Sequence, residues 1–396
     1  MAQACEVGLY ESPDRREYVA ISKPADGANR YLFVDGRRGK LMDRASPFQC
    51  VGDTLKSADN GDWQRVPLQI HETRFRSHGE LLNGALIENP IHEGGPLVVM
   101  VHGSERTSPR ASAYPYILAS LGLNVFIYDK RGTGQSEGEY TQNFELLADD
   151  AGAALTEARK LAAGRFSRAG YYGGSQGGWI APLAAMRSPA DFVVVGFGLM
   201  ASPLEEDLDQ VLSELREKGF GEPDLTQARE VAVAAGRLVA THFASGFEEV
   251  AIVRRRYSSK PWFADINGEF TGAIMRTSDA DLRRVGRALF DNVELIWDYD
   301  AEAVLRQVKV PQLWILAEAD REAPPETSLR RLQHLRDQGT LLTIYSFPNT
   351  DHGMYEFVEA PDGTRTYTRI TDGYFQLVGD WIDGKTDGAY GRARKR

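Results

Sequence analysis

Cysteine is scarce: the 396-residue chain has two, Cys5 and Cys50, in no C-x-x-C or metal-ligand spacing. That excludes a disulfide-dense scaffold and a cysteine-built metal centre. Two unrelated thiols are the favoured reading; the alternative is one disulfide stapling a small N-terminal unit, which would imply an oxidising compartment. No apolar run approaches the roughly 18 residues that cross a bilayer, so no membrane span is expected. Positive charge is in deficit: 46 Lys and Arg against 56 Asp and Glu leave a formal net charge of −10. This disfavours non-specific binding to nucleic acid or anionic lipid, and the basic run at 391–396 reads as a solvated tail. No signal peptide opens the chain. The start Met1-Ala2-Gln3-Ala4 fits either a cytoplasmic protein or a mature exported one, so the location stays open.

What is present is ordinary globular composition, 42% hydrophobic and 26% charged, in a length that suits one large domain with appendages. Residues 1–65 carry short β-prone runs separated by turn residues, such as Tyr31–Val34 before Asp35-Gly36 and Phe48–Val51. They read as a small β-rich N-terminal unit. Two longer runs between Leu68 and Glu88 flank Ser77-His78-Gly79-Glu80 and predict a hairpin. Beyond them, apolar strand-like runs (96–101, 124–128, 169–172, 192–195, 312–316, 341–345) alternate with helical stretches. Nearly continuous apolar strands need helices on both faces, and the alternation predicts a doubly wound, mostly parallel α/β sheet.

The alternation stops between the fourth and fifth of these runs, in about 110 residues that read as helical. Ser202-Pro203-Leu204-Glu205 has the form of a capping box with proline at the first helical position. The helix it opens should end near Gly219, and a second should run from Asp224 to about Ala244. An insertion there would lie over the carboxyl ends of the strands, where open α/β sheets bind ligands. The expected organisation is an N-terminal unit (1–65), a core (66–202 and 301–396) and a helical cap (203–300). The residues after His352 read as a strand-poor loop and a final helix, 371–382.

The candidate chemistry begins at Gly173-Gly174-Ser175-Gln176-Gly177, a Gly-x-Ser-x-Gly pattern between a strand and a helix. A serine on such a sharp turn projects its hydroxyl above the sheet edge, next to a helix N-terminus that favours negative charge. Acyl transfer also needs two donors aimed at the tetrahedral oxygen. The backbone N–H of Gln176 and that of Ser104, in the His102-Gly103-Ser104 loop after a strand, are the candidates, with His102 holding the loop. Of seven histidines, His352 follows the last predicted core strand and is the candidate base, whereas His334 falls on a charged helical face. Asp320, at the end of the preceding strand, is the candidate acid, ahead of Glu318. Asp351 is expected to shape its own loop.

Five segments resemble bacterial α/β-hydrolases of the esterase type: VVMVHGS (98–104), NVFIYDKRGTGQSEG (124–138), GGSQGGWIAPLAA (173–185), VPQLWILAEAD (310–320) and DHG (351–353). The resemblance covers roughly residues 80–200 and 295–385. It implies Ser175 as nucleophile, His352 as base, Asp320 as acid, donors near Ser104 and Gln176, a structural role for Asp129–Gly132, and neither metal nor organic cofactor. It points to a serine esterase acting through an acyl-enzyme on a small-molecule ester. The alternatives are a peptidase or amidase with the same residues and a hydrolase-fold binding protein without chemistry. The stretch before the first core strand is too short for the propeller of one peptidase branch, and the stretch after His352 too short for the jelly roll of another. Trp262 and Phe263 could line a pocket but are expected simply to pack. The substrate and the oligomeric state cannot be read.

Overall fold

Seven short strands open the chain: β1 Gly8–Glu11, β2 Tyr18–Ser22, β3 Arg30–Phe33, β4 Arg38–Lys40, β5 Phe48–Val51, β6 Thr54–Ser57 and β7 Gly61–Arg65. The structure, a computed structural model, describes residues 5–24, 26–51, 54–57, 61–385 and 388–396. These strands form an antiparallel sheet in the order β4-β3-β2-β1-β7-β6-β5. The strand period of two sends Leu9, Ala20 and Leu32 to one face, against the larger sheet's core, and Tyr10, Val19, Ile21 and Phe33 to the other. The second set packs with Phe48, Leu55 and Trp63, and the rings of Phe48 and Trp63 are 5.3 Å apart. Asp35-Gly36 makes the expected turn between β3 and β4, with Gly36 at φ 93°.

Cys5 and Cys50 are joined in a disulfide, with Cα atoms 5.2 Å apart. This corrects their reading as unrelated thiols. The two are far apart in sequence, and they meet because the sheet closes around Phe33, Phe48 and Trp63, returning β5 to the segment before β1. Nothing in the spacing of the cysteines carries that information.

The second sheet begins with a hairpin, β8 Gln69–Ser77 and β9 Glu80–Glu88. His78 and Gly79 close it at φ 47° and 86°, the two-residue turn whose twist matches its strands. Then follow β10 Leu97–Val101, α1 Tyr114–Ser120, β11 Asn124–Tyr128, α2 Phe144–Ala162, β12 Ala169–Gly174, α3 Gly177–Arg187 and β13 Val193–Gly196. Five helices come next: α4 Pro203–Glu217, α5 Glu222–Ala240, α6 Phe247–Tyr257, α7 Thr271–Arg276 and α8 Asp279–Phe290. The chain returns through α9 Ala301–Gln307, β14 Gln312–Ala317, α10 Pro325–Asp337, β15 Leu342–Phe347, β16 Thr350–Asp351, β17 Tyr355–Glu359, β18 Arg365–Ile370, α11 Tyr374–Ile382 and β19 Arg394–Lys395.

The sheet order is β19-β15-β14-β13-β12-β10-β11-β9-β8, parallel from β11 through β15 and antiparallel at both ends. One core lies on the α2, α3, α9 and α10 side, and the other on the α1 and α11 side together with the N-terminal sheet. Strand order reverses at β10, which lies between β11 and β12. The crevice at the carboxyl end of such a switch is where this architecture takes ligands.

The inserted helices have a core of their own, centred on Val211, Leu238 and Trp262. Ser202 Oγ accepts from the Glu205 N–H and the Glu205 carboxylate accepts from the Ser202 N–H, the predicted capping box. The same carboxylate pairs with Arg331 on α10 and so ties the insertion to the sheet domain. Asp207 of α4 accepts from the backbone of Phe270 and Thr271 and from the Thr271 hydroxyl, which fixes α4 to the start of α7.

Two expectations for the C-terminal stretch fail. Residues after His352 are not strand-poor: β17 and β18 form a hairpin that pairs with β16, just before the histidine, in a small antiparallel sheet. The strand period is legible in Tyr355–Glu359 and Arg365–Ile370, around the turn residues Pro361-Asp362-Gly363. The basic tail is not merely solvated. It pairs antiparallel with β15, and Arg394 and Arg396 form ion pairs with Glu318, so the charges that suggested a free tail anchor an added edge strand.

Because the disulfide closes the N-terminal sheet, replacing Cys5 and Cys50 with alanine should cost about 2–4 kcal/mol of that unit's stability. Urea unfolding of the double variant, followed through Trp63 fluorescence, reads the loss; an unchanged midpoint contradicts it.

Candidate active site

Ser175 sits between β12 and α3 with φ 52°, a left-handed backbone that non-glycine residues seldom adopt and that persists only where the surroundings hold it. Here the Ser175 N–H donates to Gly196 O at 3.2 Å, and Gly178 N–H closes the turn onto Ser175 O at 2.7 Å. A Cβ on Gly177 would collide with Val101 O at the end of β10, so only glycine lets the turn approach that strand.

His352 follows β16 and reaches back across the strand ends. Its Nδ1 lies 2.9 Å from Asp320 Oδ2, and its Nε2 lies 3.0 Å from Ser175 Oγ. A carboxylate only accepts, so Nδ1–H donates to Asp320, which leaves Nε2 to accept the serine hydroxyl proton. Asp320 is 5% exposed. Its Oδ1 accepts the N–H groups of Ala323 at 2.7 Å and Glu322 at 3.0 Å, which fixes its orientation. Phe197, at φ 42°, sets its ring edge-on to the imidazole at 5.2 Å between centroids.

The other sequence candidates separate cleanly. Asp351 accepts from the N–H groups of His352 and Arg321, from Arg365 at 2.7 Å and from the Tyr367 hydroxyl, and so shapes its loop as expected. Burial opposes its charge, but these partners, Arg365 foremost, hold its carboxyl below the usual range. Glu318 is engaged by the Ser346 hydroxyl and the C-terminal arginines, away from His352. His334 lies on α10, with its ring 2.8 Å from Gln338 Nε2 on the exposed side.

The loop after β10 is held from several directions. His102 Nε2–H donates to Tyr128 O at 3.1 Å, and its Nδ1 lies 3.3 Å from Glu105. Lys130 donates to Gly103 O at 2.6 Å and the Tyr140 hydroxyl to Ser104 O at 2.5 Å. Burial lowers the Lys130 pKa to about 8. Arg131 makes a two-pronged pair with buried Asp150. The Asp129–Gly132 segment therefore braces the neighbouring loop. Among the described residues no acceptor engages the N–H of Ser104 or of Gln176, and both residues border the same cavity as Ser175.

A family model described as serine aminopeptidase, S33, matches residues 94–218, from β10 into α4. It spans the loop after β10 and the serine turn, in a sheet whose order reverses at β10. Over that third of its length the chain is similar to this family. Similar solved structures include an esterase of Pyrococcus furiosus, 15% identical over 72% of this chain and 84% of that one, TM-score 0.46. An acylaminoacyl peptidase of Pyrococcus horikoshii is 15% identical over 98% of this chain and 52% of that one, TM-score 0.49. The α/β hydrolase GrgF of a Penicillium species is 16% identical over 72% and 92%, TM-score 0.44. No curated protein matches the chain.

Two cavities flank Ser175. One, about 320 Å³, is walled mainly by apolar groups, among them Met100, Tyr114, Tyr172 and Phe197, and includes Pro24 of the N-terminal unit. The other, about 270 Å³, lies under the inserted helices. Trp179, Phe270, Phe290 and Trp297 line it together with three carboxylates, Glu206, Glu269 and Glu322. Burial, then the charges of Glu269 and Glu322, push the Glu206 carboxyl well above the usual range. Burial also raises Glu269. Of the two aromatics singled out in the sequence, Trp262 is fully buried among the inserted helices and Phe263 packs, partly buried, against the same core.

Glu322 was not singled out in the sequence. Its Oε1 lies 3.5 Å from His352 Nε2, and the available signal was its place two residues after Asp320. Burial lowers the pKa of His352, but the hydrogen bond and charge of Asp320, with Glu322 and Asp351 behind, outweigh it, and the net shift is upward from the ordinary 6.5. An NMR titration should place His352 above 6.5. Glu322→Gln should move it downward, because one anion that stabilises the imidazolium is gone. An unmoved titration contradicts the assigned role of Glu322.

Proposed function

We propose that the protein is a carboxylic ester hydrolase in which Ser175 is the nucleophile, His352 the general base and then acid, and Asp320 the residue that orients the imidazole. The hydrogen-bonded chain Asp320–His352–Ser175 supports this reading most strongly. His352 Nε2 takes the hydroxyl proton as Ser175 Oγ attacks the ester carbonyl. The negative charge on the former carbonyl oxygen is met by the N–H groups of Ser104 and Gln176, an oxyanion hole beside the start of α3. His352 returns the proton to the departing alcohol, and water then cleaves the acyl-enzyme by the same steps in reverse. Asp320 stabilises the imidazolium without itself taking the proton. In this reading residues 203–300 are a cap over the strand ends, residues 66–202 and 301–396 are the core, and residues 1–65 are an accessory sheet.

A second reading, peptidase or amidase, is favoured by one observation: the cavity under the inserted helices carries three carboxylates, surroundings that suit an amine leaving group.

Nitrophenyl acetate should be hydrolysed by the wild type. Ser175→Ala should lose about 10⁴–10⁶-fold in kcat, and Asp320→Asn roughly 10⁴-fold. Equal rates for wild type and Ser175→Ala would remove the proposal. Aminoacyl nitroanilides cleaved faster than nitrophenyl esters would replace the ester reading with the amide one.

A further inference from the structure

The N-terminal sheet does more than cover a face of the core. Pro24, just after β2, lines the apolar cavity at Ser175. A third cavity, of about 150 Å³, shares Pro24, Ala111, Ser112, Tyr114 and Tyr355 with that apolar cavity, and continues to Tyr31, Arg30 and Arg38 of β3 and β4. The two spaces have a common wall of residues from both units.

The far end is basic. Arg30 is paired with Asp26. Arg38 lies over the Tyr355 ring, 4.6 Å from its centroid, and among the described residues no carboxylate pairs with it. Direction is set by His352, on the hydrolase reading proposed above. Its Nε2 must reach the leaving group, and its other near neighbour, Glu322, lines the cavity under the inserted helices. The leaving group takes that side and the acyl group the apolar side.

We infer that the acyl group occupies one channel built jointly by the core and the N-terminal sheet, running from Ser175 past Pro24 to Arg38, and that the preferred acyl group is an extended apolar chain ending in a carboxylate. Pro24 sets how far the chain can pass and Arg38 meets its end, which gives the N-terminal unit a role in substrate choice.

The test compares nitrophenyl acetate, nitrophenyl hexanoate and the mono-nitrophenyl ester of adipic acid, which is the hexanoate ester with its terminal methyl replaced by a carboxylate. Arg38→Ala should lower kcat/KM for the adipate ester about fivefold and leave hexanoate unchanged; Arg38→Lys should restore part of the loss. Pro24→Trp should depress hexanoate about tenfold while sparing acetate, which also reports that the variant is folded. Equal effects of Arg38→Ala on hexanoate and adipate, or no effect on either, overturn the inference while ester hydrolysis stands. If the wild type turns over none of the three, the hydrolase reading fails and this inference falls with it.

Discussion

The hydrogen bond between Ser175 Oγ and His352 Nε2 spans 3.0 Å in space and 177 positions in sequence, and the site depends on it. Neither partner reaches the other by flexibility. Ser175 is held in a left-handed backbone by its bonds to neighbouring strand and helix, and His352 is clamped between Asp320 and the edge of Phe197. Both positions trace back to register. Strands β12, β13, β14 and β15 run parallel, with Gly174 opposite Gly196, Gly196 opposite Ile315 and Ala317 opposite Phe347. A shift of one residue in any of these pairings would turn its side chains to the wrong face and separate the serine from the imidazole.

Neighbouring carboxylates at the site do different work because their surroundings differ. Asp320 faces His352 and is oriented by two backbone N–H groups. Asp351, next to the histidine in sequence, is occupied by Arg365, Tyr367 and two backbone N–H groups. Glu318 serves the C-terminal edge strand. Lys130 and Tyr140 are remote from the reacting atoms in sequence, yet each holds a carbonyl of the loop after β10, that of Gly103 and that of Ser104.

Much of this was legible because local chemistry dictates it. Gly173-x-Ser175-x-Gly177 after an apolar run, the capping box at Ser202 and the His78-Gly79 turn each specify backbone geometry within a few residues. His352 and Asp320 were candidates because a base and an acid are expected at strand ends, where few residues qualified, and the structure brings both to Ser175. What stayed open or escaped notice depends on tertiary approach. The Cys5–Cys50 bridge follows from closure of the N-terminal sheet. The pairing of Arg394 and Arg396 with Glu318 follows from the free edge of β15. The residues around the two cavities, Pro24 and Glu322 among them, come from segments whose meeting no local pattern announces. The β17–β18 hairpin is the exception: its alternation was present and was read as loop.

The central claim is that a serine hydroxyl is made nucleophilic by one imidazole, and covalent labelling measures that most directly. A fluorophosphonate should modify the intact protein once, mass spectrometry of the peptides should place the adduct on Ser175, and His352→Ala should slow the labelling by several orders of magnitude. Modification of another residue, or equal labelling rates with and without the imidazole of His352, would contradict the account.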